Sequence, residues 1–304
     1  MKKICFYYHH INVIGGVEIA IINLCEKLRN DYDITIAYSS ENTDIDMVLR
    51  MSRYAKIVNL KYKQIEVDTV VYCSLFCQKE KIKAKKELRW VHVCLDVLKL
   101  KIPKETIDGY ISVGEICKKQ LDAQLINQES ILIYNVDNSD IFKLADEYSI
   151  EKRTLTLATV SRISREKGFE RMLKVAEKIK DVDYIWHIVG EGHDKKYEQH
   201  IRSLAPENWV FHGSKENPFP FTKNADFLVQ LSSHEAYSYS ILEALCLGTP
   251  VIVANFPSCD ELINDKNGFV LENDLSNFDP EIFNDKKIFK HEYKSDFKKW
   301  KKLL

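Results

Sequence analysis

Glu235 and Glu243 stand eight positions apart in a segment that reads as the end of a strand, a loop and a helix entry. Carboxylates accept hydrogen bonds only, and paired oxygens suit the vicinal hydroxyls of a sugar or a ribose. A second segment, Arg162-Ile163-Ser164-Arg165-Glu166-Lys167-Gly168, also follows a strand-like run and precedes a helical one. Arg162 at the strand end and Lys167 before the helix can converge on one pocket, and two cations beside a helix start suit a diphosphate. A third segment, Gly15-Gly16-Val17-Glu18, stands before a helix. Adjacent glycines let a ligand approach the backbone, and a helix N-terminus offers unpaired N–H groups to a phosphate. It is not Gly-x-Gly-x-x-Gly, so the usual dinucleotide fingerprint is missing.

Strand-like apolar runs recur at 4–8, 33–38, 69–74, 89–94, 110–113 and 130–134, then at 155–161, 184–189, 209–212, 227–231, 250–254 and 268–272. Helix-period stretches fit between them at 17–29, 169–179, 195–204, 240–247 and 259–263. Short Val/Ile-rich strands alternating with helices predict parallel sheets covered on both faces, an α/β class. In such sheets ligands bind beyond the carboxyl ends of the strands, where the three charged or glycine-rich loops fall. The polar stretch 138–153 predicts a boundary, giving domains at 1–145 and 146–285. Residues 286–304 carry Phe289, Tyr293, Phe297, Trp300 and Leu304 at helical spacing, an amphipathic helix that could cross back to the first domain.

Composition narrows the classes further. The chain has 304 residues, 44 Lys+Arg against 45 Asp+Glu, and a formal net charge of −1. That length exceeds one ordinary core, and the balance excludes a uniformly basic nucleic-acid binder. With 45% hydrophobic and 29% charged residues it is an ordinary globular composition. Eight cysteines are scattered without a Cys-x-x-Cys pair, and the histidines form no His-x-x-x-His pair, so no structural metal is expected. No apolar run approaches the roughly 20 residues that span a bilayer, and the N-terminus lacks the apolar core of a secretory signal. A cytoplasmic setting is the expectation.

The segment Glu235 to Ile252, with Glu235, seven residues, Glu243-Ala244 and then Gly248-Thr249-Pro250-Val251, resembles the signature of retaining glycosyltransferases of family 4. The supporting matches fall in the family's order: Gly15-Gly16-Val17-Glu18, His92 after a strand, Asn135-Val136-Asp137, Arg162 with Lys167-Gly168, and Gly190-Glu191-Gly192. The resemblance implies the GT-B fold, two Rossmann-like domains facing across a cleft. It also implies transfer of a sugar from a nucleotide sugar with retention, and no bound metal.

By that resemblance Arg162 and Lys167 would neutralise the donor's diphosphate, Glu243 would hold the ribose and Glu235 the transferred sugar. The amides around Tyr237, Ser238, Tyr239 and Ser240 would face the phosphates. Gly15 and Gly16 would let the first domain approach the diphosphate, His92 would line the sugar side, and Gly190 and Glu191 would border the nucleotide. A UDP-sugar is the donor commonest in the family, and the acceptor would be a saccharide or lipid-linked saccharide of a surface polysaccharide. Two Asp-x-Asp triplets, at 44–46 and 181–183, read as solvated turns away from these loops.

Two features complete the expectations. The family's Glu-Gly-Phe-Gly is Glu235-Ala236-Tyr237-Ser238 here, and the loss of both glycines leaves a second reading open. In it the chain is a catalytically degenerate subunit that binds or stabilises a partner glycosyltransferase. Residues 78–89 read as a basic, helix-capable run, which would attract anionic headgroups at the inner face of the plasma membrane.

Overall fold

The computed structural model describes residues 1–11, 15–75, 79–285 and 296–304. The chain forms two compact units, dividing between Ser139 and Asp140, with the C-terminal helix counted in the first.

The first unit runs β1 (Lys2–Tyr7), α1 (Gly16–Leu28), β2 (Tyr32–Tyr38), α2 (Ile45–Ser52), β3 (Lys56–Asn59), β4 (Ile65–Tyr72), β5 (Ile82–Val91), β6 (Gly109–Ser112), α3 (Glu115–Asp122) and β7 (Ile131–Leu132). Its strands form one sheet in the order β3-β2-β1-β4-β5-β6-β7, with every pairing parallel. The order reverses between β1 and β4, so successive right-handed crossovers leave the sheet toward opposite faces. Covering on both faces explains the apolar centre of β1, where Ile4, Cys5, Phe6 and Tyr7 are all fully buried. Behind β1, α1 buries Ile21, Leu24, Cys25 and Leu28, the apolar face expected from their spacing. Asn23 donates from α1 to the Val136 carbonyl at 3.2 Å, and Lys27 pairs with Asp137 at 3.1 Å, anchoring the chain's exit from the unit.

The second unit runs α4 (Ile141–Ala145), β8 (Leu155–Val160), α5 (Phe169–Lys178), β9 (Tyr184–Val189), α6 (Lys195–Leu204), β10 (Trp209–Phe211), α7 (Phe219–Asn224), β11 (Phe227–Gln230), α8 (Tyr239–Cys246), β12 (Val251–Ala254) and β13 (Gly268–Leu271). Its order is β10-β9-β8-β11-β12-β13, again parallel throughout. The reversal point lies between β8 and β11. Ile141 and Ala145 of α4 pack on Phe219, which ties the residues after 139 to this unit. The core is continuous from Leu157 and Trp186 through Phe227 to Ile252 and Leu271. The α/β class and the two doubly wound parallel sheets are as the alternation of runs predicted.

Several expectations are corrected. The basic run is not a helix: residue 78 lies outside the described residues, 79–81 make one 3-10 turn, and β5 begins at Ile82. Its first half alternates, Ile82 inward and Lys83 outward, and Lys83 and Lys85 pair with Glu66 and Asp68 of neighbouring β4 at 3.5 and 2.6 Å. Lys83 and Lys85 thus lie on an exposed strand face, each opposite a cross-strand carboxylate. Asp44-Ile45-Asp46 is no turn either, because the Asp44 carboxylate accepts from Met47 N at 2.9 Å and caps α2. The helix expected at 259–263 is a 3-10 turn at Cys259–Glu261. Of the helix expected over 286–304, residues 286–295 lie outside the described residues, and α9 (Phe297–Leu303) is what the structure describes. Within the first unit Trp300 of α9 is fully buried, its ring centroid 4.7 Å from that of Trp90 and 6.4 Å from that of Phe6.

Candidate functional site

At the reversal point of the second sheet the loops after β8 and β11 are locked together. Gly168 has φ +75°, and a Cβ there would lie 1.8 Å from the carbonyl oxygen of Leu231. Only glycine accepts both the left-handed backbone and that approach. Ser233 N donates to the Glu166 carbonyl at 2.8 Å, tying the loops a second time. The Arg171 guanidinium, in the first turn of α5, reaches Leu231 O and also bonds Asn273 Oδ1 at 2.9 Å.

This lock brings Lys167 and Glu235 together, with Nζ 2.7 Å from Oε1. Their side chains are 16% and 11% exposed, so the pair is shielded but not sealed. The same carboxylate oxygen accepts from Ser232 Oγ at 2.7 Å and from Gln230 Nε2 at 3.2 Å. Ser258 Oγ donates to the Glu235 carbonyl at 2.8 Å, holding its backbone from the loop after β12. Arg162 leaves the end of β8 half-exposed, and its guanidinium lies 3.6 Å from Glu166. Burial pushes the Glu166 carboxyl up, but the Ser164 hydrogen bond and the Arg162 and Lys167 cations leave it below its ordinary value. Two cations and a carboxylate therefore stand in the loops at the carboxyl ends of β8 and β11, residue types able to take an anion and a polyol.

The loop after β9 closes on the same side. Gly190 has φ +135°, and a Cβ there would sit 2.0 Å from Ser161 O. Next to it Glu191 accepts from Ser214 N at 3.2 Å, and Lys195 lies 3.5 Å from its carboxylate. After β11, Ser238 caps α8 with extended backbone, its Oγ 3.2 Å from Ser240 Oγ, and Tyr239 opens the helix. Tyr237 precedes that cap. Glu243 falls in the second turn of α8 and is 8% exposed, where an ordinary surface helix glutamate would be open.

The first unit places its candidates at the carboxyl ends of β1 and β5. Gly15 is the N-cap of α1 with extended backbone, Gly16 is the first helical residue, and a Cβ at Gly15 would meet the Glu18 carboxylate at 2.8 Å. His92 follows β5 with its ring 4.1 Å from that of Trp90. Its Nε2 is buried without a hydrogen-bond partner, and burial pushes the imidazole down to about 3, so it is neutral.

Sequence reasoning missed Gln230, Ser232 and Ser258, all of which grip Glu235. Gln230 left a trace, as the one polar side chain in the apolar run Phe227-Leu228-Val229-Gln230-Leu231.

Comparison with known proteins places this geometry. Residues 140–279 match the family described as glycosyl transferases group 1. A 41.2 kDa protein of the cps region of Klebsiella pneumoniae is 29% identical over 158 residues, which cover 49% of this chain and 42% of that protein. The alpha-monoglucosyldiacylglycerol synthase of Streptococcus pneumoniae is 28% identical over 178 residues, 53% of this chain and 40% of that protein. The chain thus spans about two fifths of the length of these curated relatives. Among solved structures, Anabaena HepE in complex with UDP-glucose superposes with a TM-score of 0.72 at 15% identity, covering 93% of this chain and 89% of HepE. At that identity the likeness speaks for the fold, and the fold is GT-B, built of two Rossmann-like units. It is through its second unit, which carries Lys167 and Glu235, that the chain resembles the glycosyl transferases group 1 family.

Proposed function

We propose that this chain transfers a sugar from a nucleotide-sugar donor, a UDP-sugar, to a glycan or lipid-linked saccharide acceptor in the building of a surface polysaccharide. The observation that carries the reading is the 2.7 Å pairing of Lys167 with Glu235 at the β8–β11 reversal point, with Arg162 3.6 Å from the neighbouring Glu166. A diphosphate seated there takes Lys167 and Arg162 as counter-charges. As the glycosidic bond breaks, negative charge gathers on the departing phosphate, and fixed cations stabilise that charge more than they stabilise the ground state. Glu235 accepts from hydroxyls of the transferred sugar, Glu243 holds the ribose, and the α8 N-terminus around Tyr237–Ser240 offers amides to the phosphates. Gly190 and Glu191 border the nucleotide. Gly15, Gly16 and His92 keep the roles that the family resemblance gives them, with His92 acting as a neutral ring.

The donor class draws support from HepE, solved with UDP-glucose, and a lipid-linked acceptor from the pneumococcal synthase named for a glucosyl diacylglycerol. A lipid-linked acceptor would bring the chain to the inner face of the plasma membrane, and among the described residues no helix is long and apolar enough to cross one. Retention of configuration and independence of a metal ion belong to the same reading.

The test is transfer from UDP-glucose, UDP-galactose and UDP-N-acetylglucosamine to lipid and glycan acceptors, with and without EDTA, and the product anomer read by NMR. An α-linked product formed equally in EDTA is the expected result. A β-linked product, or one that needs magnesium, overturns the retaining, metal-independent mechanism.

A further inference from the structure

Gln230, the last residue of β11, is 1% exposed in an otherwise apolar strand. Burying an amide costs free energy unless its polar atoms are satisfied. Its Nε2 donates to Ser232 Oγ at 2.8 Å and to Glu235 Oε1 at 3.2 Å, and Ser232 Oγ in turn donates to that same oxygen at 2.7 Å. Chemistry fixes the orientation, because the turned amide would set its carbonyl oxygen against a carboxylate. The Oε1 facing away is buried without a hydrogen-bond partner. An apolar residue of the same shape would avoid that unsatisfied acceptor but would take a donor from the Glu235 carboxylate, so the reason for a glutamine here lies in the carboxylate it serves.

We propose that Gln230 is a positioning and specificity residue, holding the Glu235 carboxylate in place for the hydroxyls of the transferred sugar. The inference rests on the donor reading above. Lys167 alone cannot set the orientation of Glu235, since an ammonium is a point charge on a flexible stem. An arriving diphosphate also draws Lys167 toward itself. Gln230 and Ser232 stay, one from the strand end and one from the loop, and keep the carboxylate aimed. Gln230 therefore matters for a donor that carries its sugar and not for the bare nucleoside diphosphate.

The experiment measures affinity for UDP and for the tightest-binding of UDP-glucose, UDP-galactose and UDP-N-acetylglucosamine. The proteins are the unaltered chain, Gln230→Met, Glu235→Gln and the double variant. A hydrogen bond to a charged group predicts about tenfold or greater loss for the UDP-sugar in Gln230→Met, with UDP changed by less than about twofold. In the Glu235→Gln background the same change has little further effect, because contacting residues are not additive. Gln230→Leu, which likewise lacks a donor, gives the same split if the methionine variant does not fold. Equal losses for UDP and UDP-sugar, or a full loss persisting in the Glu235→Gln background, mean that Gln230 serves packing alone and overturn the proposal. Unchanged UDP-sugar binding overturns it as well. If the unaltered chain binds none of the four ligands, the donor reading itself fails and the inference falls with it.

Discussion

The Cα of Gly168 and the carbonyl of Leu231 approach so closely that any side chain at 168 would put its Cβ 1.8 Å from that oxygen. This contact sets the spacing of the two loops whose adjacent residues, Lys167 and the segment leading to Glu235, make the ion pair. A glycine in the sequence of one loop thereby fixes a charge pair that draws on both.

Gly168→Ala is expected to destabilise the second unit by more than about 2 kcal/mol, since left-handed strain and a backbone clash act together. Chemical denaturation measures it. A loss below about 0.5 kcal/mol would mean that the loops part without cost and that their spacing is not fixed here.

Lys167→Ala leaves Glu235 with its Ser232 and Gln230 donors but removes the cation meant for the diphosphate. Affinity for UDP is expected to fall about tenfold or more, as for loss of a charge-assisted bond of about 1.5–3 kcal/mol. Calorimetric titration reads this directly, and undiminished UDP affinity would remove Lys167 from the site.

How much of this was legible in the sequence follows from what each residue interacts with. Apolar runs report burial on both faces of a parallel sheet, so strands such as β9 stood out, all six of its residues being buried. Lys167, Glu235 and Glu243 were visible because charged types at strand-to-helix joints are chemically distinctive. The β5 lysines misled because isolated composition resembles a basic helix, while their partners, Glu66 and Asp68, lie on another strand. Cross-strand pairing is tertiary and leaves no local periodicity until the register is known. The grip on Glu235 was illegible for the same reason, since Ser258 reaches it from a loop beyond β12.

Acid sensitivity is expected from a histidine pair in the second unit. His187 Nε2 lies 2.8 Å from the Glu151 carbonyl, so that nitrogen must donate, and its Nδ1 then accepts from His212 Nε2 at 2.8 Å. Burial, then the neighbouring His187 and Lys215, push His212 down to about 4. Between pH about 6.5 and 4 the unfolded chain binds the extra proton and the folded chain does not, so stability falls as pH drops through that window. Denaturation at pH 7 and pH 5 should show a smaller pH effect in His212→Gln than in the unaltered chain. An equal effect in both would assign the acid sensitivity to other groups.

Trp300→Ala should cost about 3–5 kcal/mol, the range for emptying a large aromatic site from a packed core. Alongside the Trp90 and Phe6 contacts, Lys86 Nζ donates to the Leu303 carbonyl at 2.6 Å, so α9 is bound by both packing and hydrogen bonding. Thermal unfolding followed by tryptophan fluorescence would test it, and a loss under about 1 kcal/mol would show that α9 contributes little to the first unit.

The loops at the carboxyl ends of β8 and β11 are expected to take a nucleoside diphosphate. The most direct test is thermal unfolding of the full chain with UDP, GDP, ADP, CMP and TDP, each with and without magnesium. A ligand at about 100 times its dissociation constant stabilises by about 2.7 kcal/mol. The expected result is a rise in melting temperature selective for UDP, the same without magnesium and cut to about half or less in Lys167→Ala. No shift with any nucleotide, or an equal UDP shift in Lys167→Ala, would contradict it.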